Sequence, residues 1–142
     1  MKNKLENNPI LLVEDNPVDV DLTIRAFKNS NLVNPIEVAR DGEEALNYIK
    51  KWDDGATIPV VILLDLKLPK IDGLDVLKTM KKHPIYKTIP IVVLTSSAEN
   101  SDIKAAYKLG VNSYIVKPVN FDSFLKVASQ IELYWNVLNK LP

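Results

Sequence analysis

Hydrophobic residues in this chain gather in short dense runs. Longer stretches between them carry apolar positions at intervals of three and four. Ile10-Leu11-Leu12-Val13, Val60-Val61-Ile62-Leu63-Leu64, Ile91-Val92-Val93-Leu94 and Ser113-Tyr114-Ile115-Val116 have the length and β-branched character of strands buried on both faces. Ile36-Glu37-Val38-Ala39 predicts a fifth strand, interrupted by a charge. Helices fill the intervals. Asn16-Pro17 offers a cap and a proline at the first helical position, before Val20, Ile24 and Phe27. Asp41-Gly42-Glu43-Glu44 resembles a capping box ahead of Leu46 and Ile49. Asp72-Gly73 opens a stretch with Leu74, Leu77 and Met80, closed by His83-Pro84. Glu99 to Leu109 predicts a weaker helix ended by Gly110. A long last helix over 120–139 carries Phe121, Phe124, Ala128, Ile131, Trp135 and Leu138 on one stripe, with Val127, Tyr134, Val137 and Leu141 outside it.

The resulting order, βα repeated five times, predicts an α/β domain: a doubly wound five-stranded parallel sheet covered on both faces. Right-handed crossovers restrict the topology. The two most polar strands, Ile36–Ala39 and Ser113–Val116, belong at the edges, which gives strand order 2-1-3-4-5. A ligand site then falls at the carboxyl ends of strands 1 and 3. The reading is one domain over residues 1–142, with residues 1–8 a flexible N-terminus; no internal repeat or linker is evident.

Those strand ends are where the charges sit. Glu14-Asp15 follow the first run, Asp65 the third strand, Thr95 the fourth and Lys117-Pro118 the fifth. Two like charges about 4 Å apart oppose each other by about 4 kcal/mol at an effective dielectric near 20. Such carboxylates raise one another's pKa values or recruit a cation. Carboxylate, carbonyl and water ligands suit Mg²⁺. A carboxylate is also a covalent nucleophile in aspartyl-phosphate chemistry, and Asp65, ending the central strand, is the candidate. Lys117 offers a point charge and Thr95 a hydroxyl to phosphoryl oxygens. Positioning and charge neutralisation are what phosphoryl transfer needs.

Composition narrows the field. Lys plus Arg and Asp plus Glu both number 18, so the formal net charge is zero. That disfavours a chain built to coat nucleic acid or an acidic membrane. Zero cysteine excludes disulfides, thiolate catalysis and cysteine-ligated zinc, and fits a cytoplasmic setting. No apolar stretch approaches the roughly 20 residues of a membrane helix. His83, the only histidine, can build neither a histidine metal site nor a Ser-His-Asp triad, and reads as a surface or capping residue. Asp53-Asp54 reads as a solvated loop.

Val13-Glu14-Asp15-Asn16, the segment Asp65-Leu66-Lys67-Leu68-Pro69-Lys70-Ile71-Asp72-Gly73, Leu94-Thr95-Ser96 and Lys117-Pro118 together resemble the receiver domain of two-component response regulators, from about Ile10 to Trp135. The resemblance implies the flavodoxin-like receiver fold, (βα)5. It implies that Asp65 accepts a phosphoryl group from a histidine kinase with Mg²⁺ (or Mn²⁺) present. Glu14, Asp15, Asp65 and the main-chain carbonyl of Lys67 would hold the metal. Thr95 and Lys117 would contact the phosphoryl group. Tyr114 occupies the switch-aromatic position and Ser96 is small enough to admit it. The Lys117–Pro118 peptide would be cis. Asp15-Asn16-Pro17, Leu68-Pro69-Lys70 and the tail Tyr134-Trp135 with Leu138-Asn139 narrow the resemblance to stand-alone regulators that partner phytochrome-like kinases. A homodimer through the helix 4–strand 5–helix 5 face is a further expectation, against plain burial of the last helix.

The competing readings are a degenerate receiver that binds partners without phosphorylation, and an aspartyl-phosphate phosphatase similar to haloacid dehalogenase-type enzymes. Intact Glu14, Asp15, Asp65, Thr95 and Lys117 argue against the first. The second would need an Asp two residues after the nucleophile, where Lys67 stands. Nucleotide binding is disfavoured because no glycine-rich loop follows strand 1.

Overall fold

Residues 8–29 and 34–117 are described by the computed structural model. Their elements run β1 (Ile10–Val13), α1 (Pro17–Asn29), β2 (Ile36–Ala39), α2 (Gly42–Asp53), β3 (Val61–Leu64), α3 (Gly73–Lys82), a 3-10 turn (Tyr86–Thr88), β4 (Ile91–Thr95), α4 (Asn100–Lys108) and β5 (Ser113–Val116). The sheet is parallel throughout, in the order β2-β1-β3-β4-β5. The most polar strands do take the edges. Fully apolar β1 and β3 have every residue buried, whereas β2 and β5 leave most of theirs partly exposed.

Alternation along the strands divides the core. Leu11, Val13, Ile62, Leu64, Ile91 and Val93 face α2, α3 and α4. Ile10, Leu12, Val61, Leu63 and Val92 face the other way, where Val20 and Phe27 of α1 pack. Burying each such side chain stabilises the fold by roughly 1.5–3 kcal/mol.

The helix starts follow the sequence signals with two differences. Asn16 Oδ1 accepts from the amides of Val18 (2.9 Å) and Asp19 (3.3 Å), as an N-cap should. Asp41 caps α2 through the Glu44 amide at 2.8 Å, but Glu44 reaches back to the Arg40 amide (3.3 Å) instead of the cap's own N–H. Asp72 makes no side-chain cap bond at α3. Gly110 ends α4 with φ +97°, the left-handed conformation that glycine adopts without strain.

One polar detail departs from the sequence reading, and two others gain named partners, His83 as the capping residue expected of it. Asp53-Asp54 is not a free loop: Asp53 ends α2 and accepts from the Tyr86 hydroxyl at 2.6 Å. That bond, then burial, pushes the Tyr86 phenol up to about 12. His83 ends α3, stacks on Tyr86 with centroids 4.5 Å apart, and its Nδ1 accepts from the amides of Ile85 (3.1 Å) and Tyr86 (3.2 Å). Asn8, the last residue of the expected flexible N-terminus, donates to the Ile58 carbonyl at 2.9 Å. Residues 1–7, Pro118 with its expected cis peptide, and the predicted 120–139 helix lie outside the described residues.

Gly73 is where the fold touches the site most tightly. A Cβ there would stand 2.3 Å from the Leu66 Cα and 2.5 Å from the Asp65 carbonyl oxygen. Both are backbone atoms, so neither can swing aside. Gly73→Ala is therefore expected to cost about 3 kcal/mol through overpacking. Urea unfolding checks this: an unchanged midpoint would show that α3 shifts freely away from the β3 end.

Candidate functional site

Register builds the site. Val13 pairs with Leu64, so the next residues, Glu14 and Asp65, leave adjacent strands level with one another. The Asp65 amide donates to the Val13 carbonyl (3.0 Å) and the Glu14 amide to the Ala39 carbonyl (2.9 Å), so both residues are pinned as the strands end. Asp15 follows on the exposed side. Glu14, Asp15 and Asp65 each present an oxygen, all within 4.8 Å of one another. Glu14 and Asp65 are buried while Asp15 is exposed, which leaves one side of the group open to water.

The two buried carboxylates are held by backbone. Glu14 Oε2 accepts from the Asn16 amide at 3.2 Å, and Asp65 Oδ1 from the Lys67 amide at 3.1 Å. The sharp turn after each strand thus returns an N–H to the carboxylate that begins it. The second bond also places the Lys67 main chain beside Asp65.

Lys117 arrives from β5, where its amide donates to the Thr95 carbonyl at 2.6 Å. Its side chain is only 9% exposed, and the ammonium donates to Glu14, to Asp19 Oδ2 (2.9 Å) and to Asp65 Oδ2 (3.4 Å). Three donors therefore meet three carboxylates. With Asp15 beside Glu14 and Asp65, the site holds four carboxylates and one ammonium. Burial pushes Glu14 up to about 7, the Lys117 bond works against that, and the Asp65 charge reinforces it. Burial alone would lower Lys117, but its bonds to Glu14 and Asp19 and the Asp65 charge hold it above the usual lysine range.

Thr95 is fully buried at the end of β4, and its Oγ1 accepts from the Ser97 amide at 3.4 Å. Tyr114 on β5 reaches across to the same loop and donates to the Ser97 carbonyl at 2.8 Å. Ser97 Oγ in turn donates to Asp102 of α4. The Lys67 ammonium, on a side chain long enough to reach over Asp65, instead sits 3.8 Å from Asp102. Ser96 is exposed.

The structure brings Glu14, Asp15, Asp65 and Lys117 into one group, with Thr95 and Tyr114 meeting at the loop beside it. Sequence reasoning missed Asp19, and missed Ser97 and Asp102 as the link between that loop and α4. For Asp19 a signal existed: an acidic residue in the first turn of a helix that starts at the carboxylate-bearing end of the sheet. For Asp102 no local pattern distinguishes a buried partner from a residue that complements the helix dipole.

The donor set fits a hard divalent cation. It consists of oxygens, it carries surplus negative charge, and it combines burial with one open side. Residues 10–129 match the family model described as the response regulator receiver domain. The chain belongs to that family.

Among relatives of this receiver, the response regulator Rcp1 of Synechocystis sp. is 39% identical over 142 residues, spanning 96% of this chain and 97% of Rcp1. A crystal structure of Rcp1 in its Mn²⁺-bound form superposes with TM-score 0.80 at 38% identity, covering 90% of this chain and 94% of that one. The crystal structure of the phosphorylated cyanobacterial phytochrome response regulator RcpA gives TM-score 0.84 at 40% identity over 96% and 99%. The bacteriophytochrome response regulator AtBRR gives 0.72 at 50% identity over 87% and 91%. Receiver domains bind Mg²⁺ or Mn²⁺ at an acidic site of this kind.

With burial holding Glu14 up at about 7, a proton and a divalent cation compete for it. Below that pH the proton must leave before the cation binds; above it the carboxylate is already free. Mg²⁺ affinity should rise roughly tenfold per pH unit up to about 7 and level off beyond. Calorimetric titration between pH 5.5 and 8.5 (roughly spanning that value) reads the slope. Glu14→Gln should flatten it.

Proposed function

We propose that this receiver is a single-domain response regulator. It accepts a phosphoryl group on Asp65 from a histidine kinase and signals by contact with other proteins. The observation that carries this reading is the buried Asp65 carboxylate beside Glu14 and Asp15, with the Lys117 ammonium already donating to it. Glu14, Asp15, Asp65 and the main-chain carbonyl of Lys67 would hold Mg²⁺ or Mn²⁺, which when bound neutralises phosphoryl charge.

The chain's own residues do the rest. An Asp65 oxygen attacks phosphorus in line, the P–N bond to the kinase histidine breaks, and the imidazole leaves with the electron pair. The Lys67 amide on Asp65 Oδ1 orients the carboxylate and leaves Oδ2, now shared with Lys117, to attack. Lys117 then turns its donors to a phosphoryl oxygen. Thr95, buried at the neighbouring strand end, supplies the hydroxyl that senses the new group. Its loop carries the Ser97 carbonyl to which Tyr114 donates, so a shift at Thr95 changes what holds Tyr114. The output would leave through α4, β5 and the last helix; the described part of that face exposes Tyr107 and Val116.

Similarity to the phytochrome response regulator RcpA and the bacteriophytochrome response regulator AtBRR supports a phytochrome-like kinase as the partner. A homodimer through the same face, and action in the cytoplasm as one domain, complete the reading. A dehalogenase-type phosphatase is disfavoured because Lys67 stands where that chemistry needs an acid, and its ammonium is directed to Asp102.

Incubation with Mg²⁺ and a small acyl phosphate, followed by intact mass, tests the proposal. One labile phosphoryl group should appear on the parent chain and not on Asp65→Asn. Lys117→Ala should slow its formation by roughly a hundredfold, the scale of losing one electrostatic stabiliser. No gain with any acyl phosphate would favour the degenerate receiver.

A further inference from the structure

Asp19 is the carboxylate that the proposed reaction does not use. It lies in the first turn of α1, outside the group of three that can share a metal ion. Its position is nonetheless set with care: its amide donates to the Asn16 cap, and its carbonyl accepts from Thr23 Oγ1 at 2.8 Å. Asp19 Oδ2 stands 2.9 Å from the Lys117 ammonium, and its side chain is 25% exposed against 9% for the lysine. Lys117 therefore bridges two sets of carboxylates, with Glu14 and Asp65 on one side and Asp19 on the other.

That placement matters when a cation enters. Glu14 and Asp65 must turn oxygens to it, and the ammonium must give those oxygens up. A buried ammonium left without acceptors, beside a divalent cation, is costly. With Asp19 in place the ammonium stays paired as the metal ligands are released.

We propose that Asp19 is a positioning residue for the metal site, the alternative seat that draws the Lys117 ammonium off Glu14 and Asp65 when a divalent cation binds. The inference rests on the metal reading above and assigns to Asp19 an effect exerted only through Lys117. Asp19 contributes no ligand. It lowers the cost of freeing two.

A double-mutant cycle on the full chain, with MgCl₂ titrated by calorimetry, separates this from simple attraction between charges. Asp19→Asn should weaken Mg²⁺ binding roughly fivefold, the size of a partly exposed ion pair. Lys117→Met should tighten binding, because the competitor for Glu14 and Asp65 is gone. In that background Asp19→Asn should move the affinity by less than about twofold. Lys117→Gln carries the same cycle should the methionine variant not fold. An equal loss in both backgrounds would mean that Asp19 acts by through-space charge alone and overturns the proposal, as does no loss in either. Absence of Mg²⁺ binding by the parent chain itself would overturn the metal reading, and this inference with it.

Discussion

Parallel pairing of β1 with β3 ends with two carboxylates abreast, and most of the polar structure answers to that repulsion. The strands are committed by their apolar residues: every position of both is buried, so neither can slip by one residue without turning its hydrophobic side chains to the wrong helices. Core packing thereby forces Glu14 and Asp65 together whatever the electrostatic cost. The backbone turns then return an amide to each carboxylate, and β5 delivers Lys117 between them. Burial first, and the Asp65 charge after it, hold Glu14 near 7 rather than 4.5, something on the order of 3 kcal/mol against its charged form. Set against a domain stability of roughly 5–15 kcal/mol, that is a large local burden. It is tolerable because the sheet underneath is almost wholly apolar and fixed.

The sheet was legible because its signals are one-dimensional. Runs of β-branched residues, their relative polarity and the helices between them are properties of consecutive positions, and they carried strand order as well as strand identity. The strand-end acids and Lys117 were legible for the same reason: once the order is known, the carboxyl ends name their own neighbours. What remained hidden were contacts between polar residues on separate elements. Asp53 with Tyr86, Ser97 with Asp102 and Lys117 with Asp19 are each set by the rotation of a helix about its axis, to within a fraction of a turn. Apolar periodicity fixes which face is buried. It does not fix which border residue of that face meets a hydroxyl or an ammonium.

The loop after β4 shows how a change at the site can reach the surface. Thr95 is wholly enclosed, so its hydroxyl cannot move without its backbone neighbours responding. The next buried polar residue, Ser97, is held four ways: its amide donates to Thr95 Oγ1, its hydroxyl donates to Asp102 and accepts from the Glu99 amide (3.4 Å), and its carbonyl accepts from Tyr114. Asp102 belongs to α4 and also faces Lys67, two residues beyond Asp65. The loop is thus tied to the turn after Asp65 on one side and to the β5 aromatic on the other. No buried polar side-chain atom among the described residues lacks a partner. Breaking any one of these bonds therefore exposes a donor or acceptor that must be satisfied elsewhere, at roughly 1–3 kcal/mol each. A network so closed favours discrete rearrangements over gradual drift, which is the behaviour a switch requires.

The same reasoning explains why one lysine can serve a site whose charge changes so much. Without metal the site holds four carboxylates and one ammonium. With a divalent cation and a phosphoryl group, charges of both signs are added within a few ångströms. An arginine would bring a planar fork matched to one geometry, whereas an ammonium is a compact point charge with three donors that rotate together. Lys117 can therefore exchange partners one at a time while its tether to Thr95 stays in place. Asp19 extends that freedom by standing just outside the ligand group, on a helix whose start is capped and does not depend on the cation. The lysine's neighbours on the two sides differ in what they must do next. In the proposed reaction metal and phosphoryl chemistry would call Glu14 and Asp65 away, and Asp19 would keep its place beside the ammonium.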